Sequence, residues 1–202
     1  MDWVAWHGPY ANPESPLSRR LRAVQAHIAA WLDSATSCRV VSVCAGQGHD
    51  LLGVLETRPD AARVSARLIE FDATNVEAAR LRRTAAGIEV LQADAGDLAS
   101  YRGAVRADLV LLAGVLGNIS DGDVRATIET LPCLCAPGAT VIWTRTRRAP
   151  DLTPAIRGWF ADNSFTEQAF DAPDDVLWSV GVHRFTGRPR PLPQAGRIFR
   201  FT

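Results

Sequence analysis

The chain contains no lysine. All 22 of its basic side chains are arginines, and 22 acidic residues balance them. The formal charge of zero leaves no net basic face of the kind that grips nucleic acid, so no nucleic-acid partner is expected. Long apolar runs are absent as well. The longest, 109–116, is far shorter than the ~20 residues that span a bilayer, so no membrane segment is expected. The opening residues MDWVAWHG carry an early acid and no apolar core. No secretory leader is read there, and a cytoplasmic protein is expected. Cysteine is scarce: Cys38, Cys44, Cys133 and Cys135. Their spacings fit no zinc template and no histidine completes one. The expectation is no metal, and buried free thiols in a reducing compartment. Internal repeats and low-complexity segments are also missing.

What is present is an ordinary globular composition, 47% apolar over 202 residues, enough for one domain with a sizeable core. Residues 1–14 are irregular, with Trp3, Trp6, His7 and Tyr10 in an aromatic arm. Ser15 is a helix N-cap with Pro16 at the first helical position. Leu17, Leu21, Val24, Ile28, Trp31 and Leu32 then recur at helical spacing, leaving Arg19, Arg20 and Arg22 to face solvent. From residue 39 onward, strands and helices alternate. Strands are read at 39–44, 67–71, 88–92, 108–113 and 140–144, and helices at 50–57, 75–86, 121–131 and 152–163. Gly87 is placed to end the second of these helices. Residues 165–170 and 177–185 read as two last strands joined by a short polar turn, which makes them antiparallel. The segment after 186 is rich in proline and wraps the surface, with RIFRF near its end as a small edge strand. Alternating strands and helices imply an α/β fold, a three-layer α/β/α sandwich around a mostly parallel seven-stranded sheet with an antiparallel C-terminal hairpin. Three parts follow: 1–38, an arm and helix that lids or caps the domain; 39–186, the ligand-binding domain; 187–202, a tail.

The chemistry concentrates at the carboxyl ends of the strands, where open α/β sheets bind ligands. The apolar run Val40–Val43 leads into Cys44-Ala45-Gly46-Gln47-Gly48 and then a helix start. Glycines there let the backbone approach a ligand, and the helix N-terminus offers free N–H groups. Asp72 ends the second strand, where a carboxylate can accept hydrogen bonds from both hydroxyls of a ribose. Asp94 ends the third, where a carboxylate or a nearby amide meets an adenine edge. Together these features outline an adenosine.

The order of these features, with the terminal hairpin, resembles the class I S-adenosylmethionine-dependent methyltransferases over residues 38–186. The family's first motif, apolar-apolar-acid-apolar-Gly-x-Gly-x-Gly, is matched by Val40 to Gly48, except that Ser42 replaces the acid and Cys44 the first glycine. Asp50 is the candidate to replace the missing acid. The second motif is similar to Ile69-Glu70-Phe71-Asp72, with Asp72 the better match to the ribose acid. The third is similar to 90–94, the fourth to 108–113, and Cys135 to Thr140 resembles the turn before strand five. The resemblance implies S-adenosyl-L-methionine as cofactor, bound by Cys44, Ala45, Gly46, Gly48, Asp50, Asp72, Asp94, Ala95, Gly114 and Val115. It places the loop 114–120 beside the sulfonium. It implies methyl transfer, with a small molecule as the acceptor because no appended substrate domain is read.

Two other readings stand beside it. A non-catalytic binding or interaction module on the same fold is motivated by Ser42 and Cys44. An NAD(P)-dependent oxidoreductase would need Gly-x-Gly-x-x-Gly, but Leu51 occupies the third small position. For catalysis, His7 and Tyr10 in the arm and Asn118 after the fourth strand are weak candidates, and none announces itself as a base. The Pro132-Cys133 pair lies after a helix, not after strand four, which argues against a cytosine-methylating thiolate.

Overall fold

In the computed structural model, residues 12–82, 85 and 87–201 are described; His7 and Tyr10 lie outside them. Ser15 opens α1 (Pro16–Ser34): its hydroxyl accepts the Ser18 N–H at 3.1 Å, with Pro16 in the first turn. The buried positions Val24, Ile28 and Leu32 of α1 form the apolar stripe that the spacing predicts. The chain then alternates: β1 (Arg39–Val43), α2 (Leu51–Leu55), β2 (Ser65–Glu70), α3 (Ala73–Arg82), β3 (Ile88–Gln92), β4 (Ala107–Leu112), α4 (Asp121–Leu134), β5 (Cys135–Thr146), α5 (Thr153–Asp162), β6 (Phe165–Asp171) and β7 (Trp178–Phe185). Differences from the sequence reading are mostly at boundaries. α3 begins two residues earlier than expected, and β5 starts at Cys135 rather than Thr140, the segment of the Pro137-Gly138 turn included.

One seven-stranded sheet has the order β3-β2-β1-β4-β5-β7-β6. β7 runs antiparallel to both β5 and β6, and the other neighbours pair in parallel. Strand order reverses between β1 and β4, the switch point of a doubly wound sheet. β4 is a continuous apolar run because it is covered on both faces: Leu109 and Leu111 pack with the α1–α3 side, Val110 and Leu112 with the α4–α5 side.

The reversed strand carries a buried polar knot. Gly181 sits opposite Trp143, whose indole N–H donates to His183 Nδ1 at 3.1 Å. The neutral ring of His183 therefore keeps its proton on Nε2, which has no hydrogen-bond partner and lies 3.7 Å from Glu167 Oε2. Burial pushes the pKa of His183 from 6.5 down to about 4, against an opposing pull from Glu167. The unfolded chain takes up this proton near pH 6.5 and the folded chain only near 4. Stability therefore falls as pH drops through that window and levels off below it. In His183→Gln, the urea midpoint should lose less between those pH values than in the wild type. Equal losses would show that His183 does not set the slope.

Candidate ligand-binding site

A cavity of about 530 Å3 opens at the carboxyl ends of β1, β2, β3 and β4. Its floor is the loop after β1. There Cys44, Gly46 and Gly48 all take positive φ, at 53°, 55° and 71°. Cys44 thus adopts a left-handed conformation where a glycine would be free of strain. The Ala45 N–H donates to Ile69 O and the Gly48 N–H to Ala45 O, each at 2.9 Å, which folds the turn tightly against β2. Gly48 serves packing rather than the cavity: a Cβ there would lie 2.6 Å from Leu52 Cδ1.

Two acids follow β2, and they do different work. Glu70 is the last residue of the strand and is only 8% exposed. Its Oε2 accepts the Gly46 N–H at 2.8 Å and its Oε1 the Asp72 N–H at 2.9 Å. The carboxylate therefore ties the glycine loop to the end of β2 while lining the cavity. Asp72 also lines it, but its Oδ1 accepts the Asn75 N–H at 3.0 Å and caps α3. Between them Phe71 is 74% exposed, an apolar ring held at the cavity wall. After β3, Asp94 Oδ1 accepts the Gly96 N–H at 2.8 Å, and its Oδ2 pairs with Arg197 at 2.7 Å.

Asp50 caps α2 through the Leu51 N–H at 2.7 Å, and burial raises its pKa. It lines the cavity beside the glycine loop, whose Gly46 N–H is held by Glu70. Burial raises the pKa of the Cys44 thiol strongly, with Glu70 and Asp94 adding to the effect, so it stays protonated. His49 lines the wall with both ring nitrogens engaged. Arg82 donates to Nδ1 at 2.7 Å, so Nε2 carries the proton and faces Gln47 Oε1 at 3.2 Å.

Of the site residues expected from the sequence, the cavity brings together Cys44, Ala45, Gly46, Asp50, Asp72, Asp94, Ala95 and Gly114. Gly114 is fixed by its N–H bond to Thr144 Oγ1 at 2.8 Å. Val115 is fully buried in the core below, and Asn118 turns inward to donate its amide to Gly114 O at 2.6 Å, so neither lines the wall. Among residues not expected there are Arg20, Phe71, Arg197, Arg200 and Phe201. Arg20, expected mostly to face solvent, is half-buried and lines the wall with Leu21 and Val24 of α1. The last three come from the segment expected as an edge strand, which instead docks at the cavity through isolated bridges Asp97–Arg197 and Ile119–Phe201.

No family model matches the chain, and no curated protein resembles it in sequence. Solved structures do share its architecture. One is magnesium protoporphyrin IX methyltransferase (ChlM) from Synechocystis PCC 6803 with bound SAM. It superposes with a TM-score of 0.68 over 92% of this chain and 91% of its own, at 15% identity. A second is 1,6-didemethyltoxoflavin-N1-methyltransferase from Burkholderia thailandensis, solved with 1,6-didemethyltoxoflavin and S-adenosylhomocysteine. It matches with a TM-score of 0.66 over 92% and 87%, at 13% identity. A third is an O-methyltransferase family protein from the same organism, with a TM-score of 0.67 at 16% identity. This chain covers 60% of that protein's length, and 92% of this chain is covered. The chain has the class I methyltransferase fold. Within that fold, the cavity lies at the β1–β4 switch point, and the carboxylates and glycine loop face into it. No described helix is long and apolar enough to cross a membrane, and no described group of His, Cys, Asp or Glu forms a metal site.

Proposed function

We propose that the chain is an S-adenosylmethionine-dependent methyltransferase acting on a small molecule. The observation that carries this reading is the carboxylate of Glu70. It is pinned by two backbone N–H groups at the end of β2 and faces a cavity also walled by an exposed aromatic ring. Each of its oxygens keeps a lone pair for a ribose hydroxyl, and Phe71 offers a face to adenine. Asp94 and Ala95 lie where the base edge would come. Gly46 and Gly114 let backbone close on the amino-acid end, and Arg20 supplies a positive charge for its carboxylate. The cavity volume suits a cofactor of this size.

When bound, the sulfonium supplies an already activated methyl group. The task left to this chain is to hold the acceptor in line with the methyl–sulfur bond and to exclude water. His49 is committed to Arg82 and Gln47, and Cys44 stays protonated, so neither acts as base or nucleophile here. The free cysteines fit a reducing, cytoplasmic setting.

Thermal melting separates this reading from a dinucleotide enzyme. S-adenosylhomocysteine at about 100-fold over its Kd should raise Tm by about 5–10 °C, and NAD should leave Tm unchanged. The reverse pattern overturns the proposal. A chain that binds S-adenosylmethionine yet methylates nothing in a broad small-molecule panel would instead be the non-catalytic module that Ser42 and Cys44 suggest.

A further inference from the structure

The segment 196–201 forms part of the cavity wall that the methyltransferase motifs do not account for. It is anchored like a strap. The Leu98 N–H donates to Gly196 O at 3.0 Å, and the Ile198 N–H to Gly96 O at 2.7 Å. The Arg200 N–H reaches Asp123 Oδ2 at 3.2 Å, on the first turn of α4. Ile198 and Phe199 are buried in the core on the α4 side. The approach is close enough that a Cβ on Gly96 would lie 2.3 Å from Phe199 O, so glycine is required opposite the strap.

Anchored this way, the strap delivers Arg197, Arg200 and Phe201 to the cavity. Arg197 orients the Asp94 carboxylate, whose other oxygen is held by Gly96. The Phe201 ring meets Phe199 edge-on, with centroids 5.7 Å apart at 88°. Phe199 is 2% exposed, so a fixed ring steadies a partly open one. Phe71 and Phe201 are 74% and 42% exposed, and both line this one cavity from separate elements, the end of β2 and the strap beside Ile119. Two partly exposed apolar rings lining a cavity whose acids suit an adenosine are what a flat heteroaromatic base would cover.

We propose that the strap is a working wall of the cofactor site, with Phe201 giving the adenine a second aromatic face besides Phe71. This rests on the S-adenosylmethionine reading and adds to it a binding residue that comes from outside the motifs. Stacking of a base on an aromatic side chain is lost on truncation to alanine at a cost of roughly tenfold or more in affinity.

The test is calorimetry of the full chain with S-adenosylhomocysteine and with 5′-methylthioadenosine, which keeps the base and ribose but lacks the amino-acid end. Phe201→Ala should weaken both ligands by the same factor, about tenfold, and Phe201→Tyr should restore wild-type affinity. Melting without ligand should shift by no more than about 2 °C, because the ring is part-exposed. Affinities of Phe201→Ala within about twofold of wild type for both ligands would overturn the proposal. A loss confined to S-adenosylhomocysteine would also overturn it, by placing the ring at the amino-acid end. A wild-type chain that binds neither ligand would remove the function reading first, and the strap's role with it.

Discussion

Glu70→Ala should weaken S-adenosylhomocysteine binding by about 100-fold or more. A hydrogen bond to a charged group contributes about 1.5–3 kcal/mol, and the ribose diol would make two of them to this carboxylate. Two such bonds correspond to about 3–6 kcal/mol, and each 1.4 kcal/mol is tenfold in Kd. The same change also frees the Gly46 and Asp72 N–H groups, at 2.8 and 2.9 Å from the carboxylate, and loosens the glycine loop. Glu70→Gln keeps the shape but presents an NH2 group to one of two N–H donors, so it should fall between alanine and wild type. Asp72→Ala should cost about 1 kcal/mol of stability through the lost cap on α3 and should reduce affinity less. Titration calorimetry on all three variants decides the assignment. If Asp72→Ala loses binding while Glu70→Ala keeps it, the ribose belongs to Asp72.

Gly181→Ala should destabilise the domain by about 3 kcal/mol and lower Tm by about 6–12 °C. A Cβ there would lie 2.2 Å from Trp143 Cε2 and 2.4 Å from Cζ2 and Nε1. The indole cannot step aside. It is fully buried, stacked on Phe160 with centroids 5.9 Å apart at 12°, and tied to His183. Trp143→Phe added to Gly181→Ala should recover part of the loss, because the smaller ring leaves the contested space. Gly158→Ala is the contrast. It lies inside α5 with nothing within 4 Å of its Cβ, so it should stabilise by about 0.5–1 kcal/mol through helix propensity. Denaturant midpoints compare all of these on one scale. A neutral Gly181→Ala would show that the β5–β7 register leaves more room than the contact distances say.

Local signals account for what was legible beforehand. The strands before the glycine loop, Asp72, Asp94 and Gly114 are short apolar runs, and the last two are joined by a short polar turn, so the alternation, the seven strands and the reversed last pair could be read from residues close in sequence. The choice between Glu70 and Asp72 could not. Residues i and i+2 of a strand share a face, so both acids fit one side. The end of the pairing at Glu70–Gln92 and the use of Asp72 to cap α3 are what favour Glu70 for the proposed ribose contact. The place of Arg20 at the cavity is hidden for a related reason. Helical spacing marks the buried stripe of α1 but does not show that its flank borders a cavity. The strap was least legible. Its docking depends on Gly96, about a hundred residues earlier, and on a backbone approach that leaves no periodic trace. Cys44 is a different case. The sequence shows a departure from glycine, but the backbone keeps the positive φ of 53° that the motif needs, so the loop's shape survives the substitution.

The most direct measurement is titration of the wild-type chain with S-adenosylmethionine and S-adenosylhomocysteine by calorimetry. Saturable binding of both, one molecule per chain, is the predicted result. No heat of binding from either at millimolar ligand would contradict it.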